Sequence, residues 1–186
     1  VEAHCSAQPQ VMPYPVDEDQ TVSVCPREER IVLIGSVQPR KGGDVWARSL
    51  NQVLRARPHA RAQMIGPDTP TGPDGMSMAQ HWAHLIDPQV RDRFRWLGSL
   101  SHDAVRDAIA RAALVVVPSR LESFSFVAAE ALLAGTPVIV SDQTGIAEHV
   151  PSLPRVACDD VETWALAQVE ALREIGRSRE LAMRCR

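Results

Sequence analysis

The sequence predicts an α/β domain whose mostly parallel, doubly wound sheet carries helices on both faces, a Rossmann-like arrangement. Three observations lead there. The runs at 114–117 and 137–140 are rich in valine and isoleucine and lack polar alternation, the pattern of parallel strands covered on both faces. Between them Phe124, Val127, Ala128, Ala131 and Leu132 recur at helical spacing, so one helical face packs on the sheet. Gly135 then stops that helix. The same alternation of short strand and amphipathic helix fills the chain before it.

Length and composition fit one such domain. The 186 residues, 45% of them hydrophobic, suffice for a full core. Residues 1–29 read as an extended lead-in: Pro9, Pro13, Pro15 and Pro26 flank the acidic run Asp17-Glu18-Asp19. Residues 30–160 form the Rossmann-like domain, and 161–186 its C-terminal helices. A net charge of −3 and only eight aromatic residues give no reason to expect a nucleic-acid partner. Cys5, Cys25, Cys158 and Cys185 have no C-x-x-C spacing, so neither a zinc site nor a disulfide framework is indicated, and a reduced, cytoplasmic setting is expected. No apolar run approaches the ~20 residues of a membrane span.

Taken in order, residues 31–35 form the first strand. The loop Ser36-Val37-Gln38-Pro39-Arg40-Lys41-Gly42-Gly43 follows, then a helix over 44–57 with Trp46, Leu50, Val53 and Leu54 as its buried stripe. Cations, glycines and a helix start make this loop a plausible anion site. A strand at 61–66 precedes a proline- and glycine-rich loop at 67–75, at the strand edge where open α/β sheets bind ligands. A helix over 77–86 carries His81 and His84 three apart, but Trp82 and Leu85 mark it as an ordinary amphipathic helix with no third metal ligand. A strand at 93–97 ends at Gly98, and Ser101 caps the helix that feeds the strand at 114. Beyond the central unit, helices are expected at 161–175 and from 178 onward.

Chemistry concentrates at the mouth of the central unit. Ser123 and Ser125 are both good caps, so the helix should begin near 124 or 125. Its first turn presents backbone N–H groups and a partial positive charge, a ready phosphate site. Glu122 lies just before it. Glu130, about six residues in, lies roughly 9 Å along the axis, too far for the two carboxylates to share a proton or a metal. They suit hydroxyl groups at the two ends of a ligand whose anionic middle rests on the helix N-terminus.

The spacing Glu122-x7-Glu130 resembles the donor-binding signature of retaining glycosyltransferases of the GT-B fold, family 4 (glycosyl transferases group 1). Its usual form is close to P-S-x-x-E-G-F-G-x-x-x-x-E-A-x-x-x-G-x-P-V-I. This chain keeps Pro118, Ser119, Glu122, Phe124, Glu130, Ala131, Gly135, Pro137 and Val138. The resemblance implies that Glu122 contacts the transferred sugar and Glu130 the ribose, while Ser123, Phe124, Ser125, Phe126 and Val127 offer amides to the diphosphate. It also implies that the loop from Gly35 and Ser36 to Lys41 neutralises that diphosphate, with Lys41 and Glu122 the residues closest to the chemistry and Arg40 a possible second cation. Leu100 becomes a candidate for base contact, and Thr144-Gly145-Ile146-Ala147-Glu148 is similar to the family's G-x-x-E near the donor. Three positions depart from the pattern: Ser123 and Ser125 replace frequent glycines, and Ser36 stands where the family has arginine. A serine keeps its amide but crowds a phosphate and disfavours positive φ.

By the same resemblance the chain is one half of a two-domain enzyme that moves a sugar from a UDP- or GDP-linked donor to an acceptor hydroxyl. Its partners are the nucleotide sugar and an N-terminal acceptor-binding domain, and any peripheral contact with a membrane belongs to that other half. No cofactor and no metal are called for; Asp17-x-Asp19 is read as a solvated loop. Two other readings share the fold: a non-catalytic nucleotide-binding module, and a sugar-nucleotide epimerase.

Overall fold

The computed structural model describes residues 29–184, with side chains to residue 176. The expectations for the lead-in, for Asp17 and Asp19, and for Cys5, Cys25 and Cys185 lie outside the described residues or side chains. Six strands, β1 (Arg30–Ile34), β2 (Arg61–Ile65), β3 (Phe94–Trp96), β4 (Leu114–Val117), β5 (Val138–Ser141) and β6 (Arg155–Val156), form one sheet in the order β3-β2-β1-β4-β5-β6. Every pairing is parallel. The short β6 was not foreseen; a strand of two residues leaves no period to read.

Helices α1 (Gly43–Ala56), α2 (Met78–His84) and α6 (Val161–Arg184) cover one face; α3 (His102–Arg111), α4 (Phe126–Leu133) and α5 (Ile146–His149) cover the other. The β1 side chains divide accordingly. Ile31 and Leu33 join Trp46, Leu50, Leu54, Met64, Trp82 and Trp164 in one core, and Val32 joins Ile109, Val115, Val117, Ala128 and Val140 in the other. A strand buried on both faces has no reason to alternate.

Helix ends follow the local chemistry. Ser77 and Gln80 form a reciprocal capping box at α2, and the Ser101 hydroxyl accepts from the Ala104 amide at 3.3 Å. At the end of α4, Gly135 adopts φ +64; its N–H donates to Leu132 O at 2.9 Å and that of Thr136 to Ala131 O at 2.7 Å, a Schellman closure. The C-terminal segment is one continuous helix, α6, rather than two. An interior glycine such as Gly176 costs a helix only about 1 kcal/mol, which packing along α1 outweighs.

The α1–α6 contact encloses a polar network. Gln168, fully buried, accepts from Trp46 Nε1 at 3.1 Å and donates to Ser49 Oγ at 2.9 Å and to Trp164 O at 2.8 Å. Gln168→Leu leaves the indole N–H without an acceptor and is expected to destabilise the domain by about 2–3 kcal/mol, seen as a lower urea midpoint; an unchanged midpoint would show that the network is not required.

Candidate functional site

In a sheet of this order the strand connections diverge between β1 and β4, and ligands bind in the crevice beyond the carboxyl ends there. The loops that follow those two strands carry Lys41 and Glu122. A 3-10 turn, Pro39–Lys41, ends at Gly42 with φ +66, and α1 starts directly after it. A Cβ on Gly42 would lie 1.9 Å from the Pro118 carbonyl oxygen, so the two loops touch where only glycine fits. The Lys41 stem lies over Gly35, whose added Cβ would be 3.6 Å from Lys41 Cε. Its ammonium forms an ion pair with Glu122.

Glu122 is held from below. Its N–H donates to Gln143 O at 3.2 Å, and Gly145 N–H donates to Glu122 O at 2.9 Å. Beneath, the buried Ser141 hydroxyl donates to Ser119 O at 2.5 Å and lies 2.9 Å from Thr144 Oγ1. The stretch after β5 thereby fixes the stretch after β4.

Helix α4 starts at Phe126, with Ser125 as N-cap. The Ser125 hydroxyl accepts from Ala128 N–H at 3.2 Å. Serine does take positive φ here, at +88; this cap and its burial hold it in a conformation that disfavours side chains. A cleft of about 160 Å³ opens between the loops, with Lys41, Glu122, Ser125, Phe126 and Val127 at its rim and Leu33, Val116 and Val117 in its floor. The first turn of α4 presents N–H groups there.

The structure thus brings together Lys41, Glu122 and residues 125–127. Other candidates stand further off. Arg40 is exposed and donates to Leu121 O at 3.3 Å. Ser36 is half-buried, its carbonyl accepting from Gln38 N–H at 2.9 Å. Ser123 is exposed, and Phe124 packs edge-on against Phe126 and His149 at 5.7 and 6.0 Å. Glu130 does not line the cleft; as the fifth residue of α4 it sits about 6 Å along the axis, not 9 Å, because the helix begins later than expected. Leu100, 38% exposed, follows β3, about 10 Å from β1 across two strand spacings. Glu148 is exposed on α5. His84 Nδ1 lies 2.8 Å from Gln80 O, and among the described residues no three His, Cys, Asp or Glu side chains gather as metal ligands.

Sequence reasoning missed Arg120. Its guanidinium bonds both oxygens of Asp44 at 2.8 Å, Pro39 O at 2.6 Å and Asp159 at 2.8 Å. The signal was an arginine two residues before Glu122 facing an acid three residues after Lys41, but neither position names the other. The Asp44 hydrogen bonds, opposed by partial burial and helped by Asp159, raise the Arg120 pKa above its ordinary value. Burial pushes the Asp44 carboxyl up, but the Arg120 bonds and charge and backbone amides outweigh it and hold it below 3.8.

The profile of the family described as glycosyl transferases group 1 matches residues 28–174. The chain belongs to that family. Among curated relatives, D-inositol 3-phosphate glycosyltransferase of Segniliparus rotundus is 30% identical over 82% of this chain and 35% of its own length. The Rhodococcus opacus protein of the same name is 32% identical over 87% and 37%. The chain therefore spans little more than a third of these relatives. Two solved structures share the fold: a trehalose-phosphate synthase from Burkholderia xenovorans (TM-score 0.67, 16% identity, 78% of this chain and 36% of that one) and S. aureus TarM (TM-score 0.70, 13%, 83% and 30%). The glycosyl transferases group 1 chain thus has the Rossmann-like architecture of one half of a GT-B fold.

Two predictions follow from this geometry. Ser125→Ala keeps the positive φ but loses the cap and should cost about 1 kcal/mol, whereas Ser125→Gly relieves the φ and gives up only a few tenths from the cap; equal losses in thermal melts would contradict the strain. Because the folded Asp44 pKa is depressed, its contribution to stability is complete above about 3.8 and is lost as pH falls through the folded value. Asp44→Asn should therefore flatten the acid limb of stability against pH below about 4 and leave its slope near pH 7 unchanged.

Proposed function

We propose that this chain is the donor-binding part of a retaining glycosyltransferase that transfers a sugar from a nucleoside-diphosphate donor to an acceptor hydroxyl. The observation that carries the reading is the Lys41–Glu122 ion pair at the point where the strand connections diverge, beside the first turn of α4. A cation, helix N–H groups and a carboxylate around one small cleft match the charges of a sugar diphosphate. On binding, the Lys41 ammonium would leave Glu122 for the diphosphate, and Glu122 would turn to a sugar hydroxyl. As the glycosidic bond breaks, negative charge grows on the departing diphosphate, and prepositioned Lys41 and helix amides stabilise it without reorganising. Glu130, further along α4, would take the ribose hydroxyls. The scheme calls on no metal ion. The acceptor would be held by the part of the full-length protein beyond this chain, in the cytoplasm.

UDP is the first nucleotide to try, because TarM, which shares the fold, was solved in complex with UDP, and an E. coli protein of that fold with UDP-2-fluoro glucose. A non-catalytic binding module is a weaker reading, since the chain retains the lysine and both glutamates and belongs to a transferase family.

Calorimetric titration of the full-length protein with UDP, GDP and ADP tests the proposal. One nucleotide should bind saturably, and Lys41→Ala and Glu130→Gln should each weaken it about tenfold or more, the scale of a lost hydrogen bond to a charged group. Binding that neither substitution affects would place the nucleotide elsewhere.

A further inference from the structure

The donor-site reading, on which this inference rests, asks the Lys41–Glu122 pair to open, since each partner is wanted by the ligand. Opening it removes a link between the loop after β1 and the loop after β4 just when both must stay in place. A second ion pair crosses the same gap with reversed polarity. Asp44 lies three residues beyond Lys41, in the first turn of α1, and Arg120 two residues before Glu122 in the loop after β4. We propose that Arg120 is a positioning residue for donor binding, clamping the two loops so that Lys41 and Glu122 remain in reach of one ligand after their own pair opens.

The geometry fits a clamp rather than a ligand contact. Arg120 does not line the cleft, and its donors are committed to protein acceptors. Two N–H groups grip the Asp44 carboxylate at 2.8 Å each, one also reaches Pro39 O at 2.6 Å, and the third position of the fork meets Asp159 at 2.8 Å. The Arg120 backbone N–H donates to Arg40 O at 2.8 Å, so both main chain and side chain of one residue hold the turn that ends at Lys41. Asp159 extends the hold to the segment ahead of α6. A planar fork supplies this set of directions; a lysine ammonium, a point charge on a flexible stem, does not. Arg120 and Asp44 retain 31% and 28% side-chain exposure, so the clamp is no deeply buried pair whose removal alone would unfold the core.

The test is nucleotide binding by the full-length protein, using UDP, GDP and ADP, with Arg120→Met, Arg120→Lys, Asp44→Asn, Lys41→Met and the double variant of Arg120→Met with Lys41→Met. Arg120→Met should raise the Kd of the bound nucleotide about tenfold, and Arg120→Lys should restore little of it. Asp44→Asn keeps the shape of the acceptor but removes its charge; it should reproduce most of the loss while the melting temperature falls only by what one partly exposed ion pair contributes, and it decides the matter should Arg120→Met fold poorly. If Arg120 acts through Lys41, adding Arg120→Met to Lys41→Met should cost less than threefold more, a coupling that independent effects do not show. Unaltered affinity in both Arg120→Met and Asp44→Asn overturns the inference. So do losses that add fully to that of Lys41→Met while melting temperature falls in step. If the unsubstituted protein binds none of the three nucleotides, the donor-site reading itself falls and takes this inference with it.

Discussion

Two loops from neighbouring strands meet beyond the carboxyl ends of β1 and β4, and their contact through Gly42 and Pro118 is the constraint on which the rest of the site depends. Any side chain at Gly42 would collide with the Pro118 carbonyl, 1.9 Å from its Cβ. That approach brings a lysine of one loop onto a glutamate of the other, and an aspartate in the first turn of α1 onto an arginine of the second loop. Opposite charges held across a narrow gap within one rigid frame give a cleft that is neutral at rest yet able to offer a cation and an anion to different parts of one ligand. The sheet supplies the rigidity, because its strands are buried on both faces by separate cores.

The apolar, β-branched runs of β4 and β5 and the helical stripe between them made the fold readable, because parallel strands and covering helices each leave a period that burial enforces. Serine caps and the glycine after α4 were readable for the same reason: a helix end needs partners for its loose amides and carbonyls. The gaps lie where no period exists. The two residues of β6 are defined by their neighbour β5, and the single course of α6 reflects packing on α1 that overrides a glycine.

The site was legible in part. Lys41 and Glu122 stood out as charges after buried strands, and the structure joins them. Arg120 escaped notice because its meaning comes from Asp44, 76 positions earlier, and a pair so separated leaves no local mark. Ser125 shows the reverse case. The sequence argued against positive φ at a serine, but the fold imposes it, since the chain must turn from the parallel backbone pairing of Glu122 with Thr144 into α4 within three residues, and the hydroxyl offsets part of the strain by capping Ala128.

The central claim is that Lys41 exchanges a carboxylate for a diphosphate at the first turn of α4. A crystal structure of the full-length protein with UDP would test it most directly. The account predicts a diphosphate seated on the amides of Phe126 and Val127, Lys41 Nζ within hydrogen-bonding distance of a phosphate oxygen, and Glu122 released toward the open cleft. A nucleotide bound elsewhere, or a Lys41–Glu122 pair intact beside bound UDP, would contradict it.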